Sequence, residues 1–170
     1  VVFTVKVNYV TTDEARKPED YYKDLKFNSV EAYYENEVYN GIEEVLATLK
    51  EQGKKLILAT SKPEKYANII LEHFGLLKYF DCVVGATFDG SLNYKSDIVR
   101  VALERGQVDD ITKAVMIGDS GIDIRTAAAA GIDAIGVAWG FRFAEELYEA
   151  GAERVVTTVA GLEAELFKEA

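Results

Sequence analysis

The spacing of apolar positions changes period repeatedly along this chain. Short β-rich runs at Val1–Val7, Lys55–Thr60, Cys82–Ala86, Ala114–Ile117, Ala134–Ala138 and Arg154–Thr157 predict strands. Segments of helical spacing lie between them. Ile42, Val45, Leu46 and Leu49 form one stripe, with Asn40-Gly-Ile-Glu43 placed to cap it and Gly53 to end it. Ser61-Lys-Pro-Glu64 reads as a capping box opening a helix that runs towards Phe74. Further helices fit Ser96–Glu104, Asp123–Ala130, Phe143–Ala150 and Val159–Lys168. Strands alternating with helices predict an α/β fold, a doubly wound, Rossmann-like parallel sheet with helices on both faces. Leu56–Ala59 and Val115–Ile117 are nearly all apolar, as strands covered on both sides require.

Thr11–Tyr39 breaks the rhythm. It is too long for an ordinary βα loop, and its Lys17-Pro18-Glu19-Asp20 reads as a helix start. The expectation is one domain over residues 1–170, with 11–39 a short helical insertion over the strand ends. Its Tyr21, Tyr22, Tyr33 and Tyr34 have the spacing to dock it on the body.

Composition narrows the function classes. The 170 residues carry 49% apolar and 28% charged side chains, an ordinary globular mix. One Cys (Cys82) and one His (His73) exclude an internal disulfide and Cys- or His-clustered metal sites, and make a His-based triad a poor fit. The net charge of −10 opposes nucleic acid and anionic membranes as partners. No apolar run is long enough to span a bilayer, and no basic stretch precedes one like a signal peptide. The expected setting is therefore reduced and cytoplasmic. Because Val1 stands first, an initiator Met is expected to have been removed or to lie outside this stretch.

In such sheets the site lies beyond the carboxyl ends of the strands. Thr60-Ser61-Lys62-Pro63 follows the second strand. A hydroxyl beside free helix amides suits an anion, although Ser61 as a plain helix cap explains the same letters. Gly118-Asp119-Ser120-Gly121-Ile122-Asp123 follows the fourth strand. Two carboxylates four apart make a hard-oxygen site suited to Mg²⁺; the alternative is one capping and one solvated acid. Lys95 stands just before a helix, where it either reaches over the strand ends to hold a carboxylate and a phosphoryl oxygen or is a surface lysine. His73 and Cys82 read as structural. Trp139 and Phe141 read as packing at the end of the fifth strand.

Taken in order, Thr60-Ser61, Lys95 and Gly118-Asp119-x-x-x-Asp123 resemble the haloacid dehalogenase (HAD)-like superfamily. Leu56-Ile-Leu-Ala-Thr-Ser-Lys-Pro63, His73-Phe-Gly-Leu-Leu-Lys-Tyr-Phe80, Val115-Met-Ile-Gly-Asp-Ser-Gly-Ile-Asp123 and the stretch from Ala128 to Gly140 are similar to its phosphoglycolate-phosphatase-like branch. The resemblance implies a sheet with its first strand at the centre, and a small phosphorylated metabolite or phosphate ion as ligand. It implies that Thr60 and Ser61 bind the phosphoryl group and that Lys95 steadies it. It further implies that Asp119 holds Mg²⁺, and that Asp123 assists the metal or orients Lys95. The implied chemistry is Mg-dependent phosphomonoester hydrolysis through an aspartyl-phosphate.

The first strand departs from that pattern. Aligned on Val1-Val2-Phe3 and Tyr9-Val10, it puts Thr4 at the nucleophile position and Lys6 at the acid/base position, where the family has two Asp. A Thr hydroxyl without a base is a weak nucleophile at neutral pH. Lys6 would oppose Mg²⁺, since unit charges 4 Å apart interact by about 4 kcal/mol at an effective dielectric near 20. It would instead pair with Asp119 in an anion pocket. Thr11–Tyr39 is also short for that branch's helical cap, leaving water less well excluded. The reading is a phosphatase-family domain with impaired catalysis; the alternatives are an inactive phosphate-binding or scaffold module and, less well supported, an unrelated nucleotide binder lacking Gly-x-Gly-x-x-Gly after its first strand. Nothing in the sequence fixes the oligomeric state.

Overall fold

The computed structural model describes residues 38–139 and 144–168, and the backbone of residues 2–3. Thr4, Lys6, Phe141 and the tyrosines of the expected insertion lie outside the described residues. Six strands form one parallel sheet in the order β3-β2-β1-β4-β5-β6. They are β1 (Val2–Phe3), β2 (Ile57–Pro63), β3 (Cys82–Ala86), β4 (Val115–Gly118), β5 (Asp133–Val137) and β6 (Val155–Val156). The first strand is central, as the resemblance implied: Val2 sits beside Ile57 on one side and Met116 on the other. The chain order reverses there, which opens a crevice between the carboxyl ends of β1 and β4.

The helices are α1 (Ile42–Glu51), α2 (Glu64–His73), α3 (Lys95–Arg105), α4 (Gly121–Ala130), α5 (Ala144–Glu149) and α6 (Val159–Leu166). Alternation along β2 splits the core. Leu56 and Leu58 pack with Val45, Leu46 and Leu49 of α1, Leu71 of α2 and Leu162 of α6. Ile57 and Ala59 point the other way, onto Ile98, Val99 and Ala102 of α3 and Ala127 of α4. Met116 and Ile117 divide between the same two layers. Both faces are thus covered, which is why these strands read as continuous apolar runs.

Several helix starts differ from the sequence reading. No side chain caps α1; Gly41 occupies the cap with φ +88°, a conformation that favours glycine. The capping box expected at Ser61 does not form. β2 continues irregularly past Ala59 to Pro63, and α2 begins at Glu64 without a side-chain cap. The box forms instead at Ser120 and Asp123, opening α4 two residues earlier than expected. His73 closes α2 edge-on to Phe74, and Cys82 opens β3 half-buried rather than buried. Trp139 packs edge-on against Tyr39 beside the α1 layer.

Candidate active site

Of the side chains singled out from the sequence, Lys95 and Asp123 meet at the Ala59 carbonyl, where the regular part of β2 ends; Thr60 follows Ala59 directly, and Asp119 follows β4. Thr60 is buried, and its Oγ1 accepts a hydrogen bond from the Lys62 amide at 3.2 Å. That bond folds residues 60–62 into a tight turn within the register break between Ala59 and Pro63. Ser61 is exposed in the same turn.

Lys95 is the first residue of α3, inside the helix rather than just before it. Its ammonium donates to the Ala59 carbonyl at 2.9 Å and lies 3.1 Å from Asp123 Oδ1. Both side chains are nearly sealed from water, Lys95 at 8% and Asp123 at 4% exposure. A surface lysine is therefore excluded. Breaking a pair this buried leaves an uncompensated charge, so each partner holds the other in place.

Asp123 is held from its other side as well. Its Oδ2 accepts from the Ser120 amide at 3.2 Å and from Ser120 Oγ at 2.8 Å, while Ser120 Oγ accepts from the Asp123 amide. The Ser120-x-x-Asp123 spacing was a readable signal for this arrangement. Gly118 makes room for it: a Cβ there would meet Asp123 Cβ at 2.3 Å. Asp119 follows directly, buried at the end of β4.

Glu64, expected as the far end of a capping box, makes other contacts instead. Its Oε2 accepts from the Gly85 amide at 3.3 Å and from Arg105 Nη1 at 3.0 Å, tying the start of α2 to β3 and α3. Gly85 has no space for a side chain, since a Cβ would meet Lys62 O at 2.5 Å. The Thr60 turn is thus fixed from behind by backbone packing. No sequence motif announces that contact.

A carboxylate at the end of β4 is the right kind of donor for Mg²⁺, which takes oxygen from one or two carboxylates plus phosphate and water. The supply is thin. Asp123 is engaged with Lys95 and Ser120, and among the described residues no three His, Cys, Asp or Glu side chains are grouped to hold a metal. Asp119 alone fits in kind but does not complete a site from the described residues.

Residues 4–137 match the family model for haloacid dehalogenase-like hydrolases. The chain belongs to that family. A structure of a predicted phosphatase from Clostridium acetobutylicum superposes with TM-score 0.81 at 40% identity, covering 89% of this chain and 68% of that one. The tyrosine-protein kinase PtkA of Mycobacterium tuberculosis is 42% identical over 96 residues, 56% of this chain and 32% of PtkA. A phosphoglycolate phosphatase of Colwellia psychrerythraea is 30% identical over 111 residues, 61% of this chain and 46% of that protein. The resemblance to the phosphoglycolate-phosphatase-like branch is borne out. This haloacid dehalogenase-like chain spans about a third to a half of the length of these two curated relatives.

Proposed function

We propose that this domain binds the phosphoryl group of a small phosphorylated metabolite, or phosphate itself, at Thr60, Ser61 and Lys95. The observation that carries this is the sealed Lys95 ammonium. It sits at the start of a helix, next to Thr60, and is aimed by Asp123 and the Ala59 carbonyl. In this reading Lys95 steadies the phosphoryl oxygens, the Thr60 turn supplies a hydroxyl and amides, and Asp123 with Ser120 orients Lys95. The resemblance implies Mg²⁺ with Asp119 as a ligand; Asp119 alone does not complete such a site from the described residues, so phosphate binding in this reading rests on Lys95 and the Thr60 turn. We read catalysis as impaired, because Thr4 stands at the nucleophile position and Lys6 at the acid/base position. An inactive phosphate-binding or scaffold module is the alternative. The reduced, cytoplasmic setting belongs to the same reading, supported by the lone Cys82 and by the absence, among the described residues, of a helix able to cross a membrane.

Two measurements on the whole chain test this. Inorganic phosphate should raise the melting temperature of the wild type by linkage, and Lys95→Ala should abolish the increment. An equal increment in both proteins would sink the pocket. Hydrolysis of p-nitrophenyl phosphate with Mg²⁺ should be absent or barely measurable. Robust turnover that disappears in Asp119→Ala would overturn the impairment and settle the reading in favour of an active phosphatase.

A further inference from the structure

Five large apolar side chains are exposed among the described residues, and two of them, both aromatic, belong to the loop that leads from β3 to Lys95. Phe88 is 68% exposed and Tyr94 75%. Phe88 is not a loose loop side chain. Its ring meets Tyr66 of α2 edge-to-face, with centroids 5.4 Å apart at 87°. The turn carrying it is closed by reciprocal bonds: Thr87 N to Leu92 O at 2.9 Å, and Leu92 N to Thr87 Oγ1 at 2.9 Å. Within it, Asp89 Oδ1 accepts from the amide and the hydroxyl of Ser91. Gly90 takes the positive φ that lets the chain turn back. The turn holds an apolar ring in water, against the hydrophobic effect, at the carboxyl edge of the sheet.

Tyr94 immediately precedes Lys95, so the same backbone that presents one aromatic ring also seats the ammonium. An acidic chain of net charge −10 gains little long-range attraction for an anionic ester. Stacking on an aromatic surface is a source of affinity that this field does not weaken, and a planar ring is the group best suited to it.

We propose that Phe88, backed by Tyr66, and Tyr94 form a ledge for a planar ring carried on the alcohol side of the phosphomonoester. This rests on the phosphate pocket proposed above. The substrate class is then an aryl phosphate or a nucleotide monophosphate, in preference to a phosphorylated polyol or carboxylic acid. Phosphate occupies the Lys95 end and the ring lies outward along the Thr87–Tyr94 loop.

The test is calorimetric binding of inorganic phosphate, glycerol 3-phosphate, phenyl phosphate and adenosine 5′-monophosphate to the intact chain. At least one ring-bearing ester should bind about tenfold more tightly than glycerol 3-phosphate, as one stacking contact would give. That ratio should fall to about one in Phe88→Ala and shrink in Tyr94→Ala. Preference for phenyl phosphate assigns an aryl ester; preference for the nucleotide assigns a ring farther from phosphate. Phosphate binding that depends on Lys95, with no ring preference, would overturn the ledge and leave the pocket standing. A ring preference that survives Phe88→Ala would overturn the ledge as well. Failure of all four probes to bind would overturn both readings.

Discussion

At the scale of single residues the site depends on one buried ion pair. Lys95 and Asp123 are nearly sealed, so removing one strands the other. Asp123→Ala should destabilise the fold by about 3–5 kcal/mol. Asp123→Asn keeps the shape and one acceptor oxygen, and should lose less. Chemical denaturation of both variants checks the order; equal losses would mean that the charge carries the whole contribution and that shape and the remaining hydrogen bonds add nothing. Lys95 and Asp123 were legible in the sequence as two members of an ordered set of weak signals. That Asp123 orients Lys95 was among the expectations; the other half of the lysine's seat was not, because it is the Ala59 carbonyl, and a backbone acceptor carries no letter. Ser61 shows the opposite failure. Its spacing to Glu64 matched a capping box, yet the register break after Ala59 carries the strand through it, and pairing to β3 outweighs the local cap.

Elements position these residues by close approach. The turn from β4 into α4 works because Gly118 leaves the volume that Asp123 fills. Gly118→Ala puts a Cβ 2.3 Å from Asp123 Cβ, so strand and helix must part or Asp123 must leave Lys95. We expect a loss of about 1–3 kcal/mol, typical of overpacking, together with weaker phosphate binding. Denaturation and phosphate titration of the same variant read the two effects; unchanged phosphate affinity would show that Asp123 does not orient Lys95. Strands and helices themselves were largely readable, since β2 alternates between two apolar layers and α1 carries a single stripe. Their ends were less so. The true cap of α4, Ser120, had a visible motif that the Asp residues overshadowed, while Gly41 caps α1 through backbone conformation alone.

On the scale of the whole molecule, acid should act through particular carboxylates. Burial pushes the Asp81 carboxyl up, but hydrogen bonds from Lys50 and the Leu56 amide, with the charges of Lys50 and Lys55, outweigh it and hold it low. Hydrogen bonds from Thr87 and Ser91 hold Asp89 at about 2, against an ordinary 3.8. Both values are lower folded than unfolded. Their stabilisation is therefore present above the ordinary aspartate range and is lost as pH falls through the folded values. The gap in melting temperature between wild type and Asp81→Asn should be constant near neutrality and shrink as pH falls below about 3.8; a gap that widens in acid would reverse the sign. The sheet order carries a different consequence, one of timing. The innermost strand is the earliest in the sequence, and its second neighbour, Met116, follows only after most of the chain. A ribosome adding about 5–20 residues per second needs on the order of ten seconds to cover that interval. Through that interval a newly made Val2–Phe3 can pair on one side at most, its other flank open to any passing strand. The same central placement that creates the crevice thus leaves the nascent first strand with one unpaired edge until β4 has been made, the kind of exposure that invites mispairing.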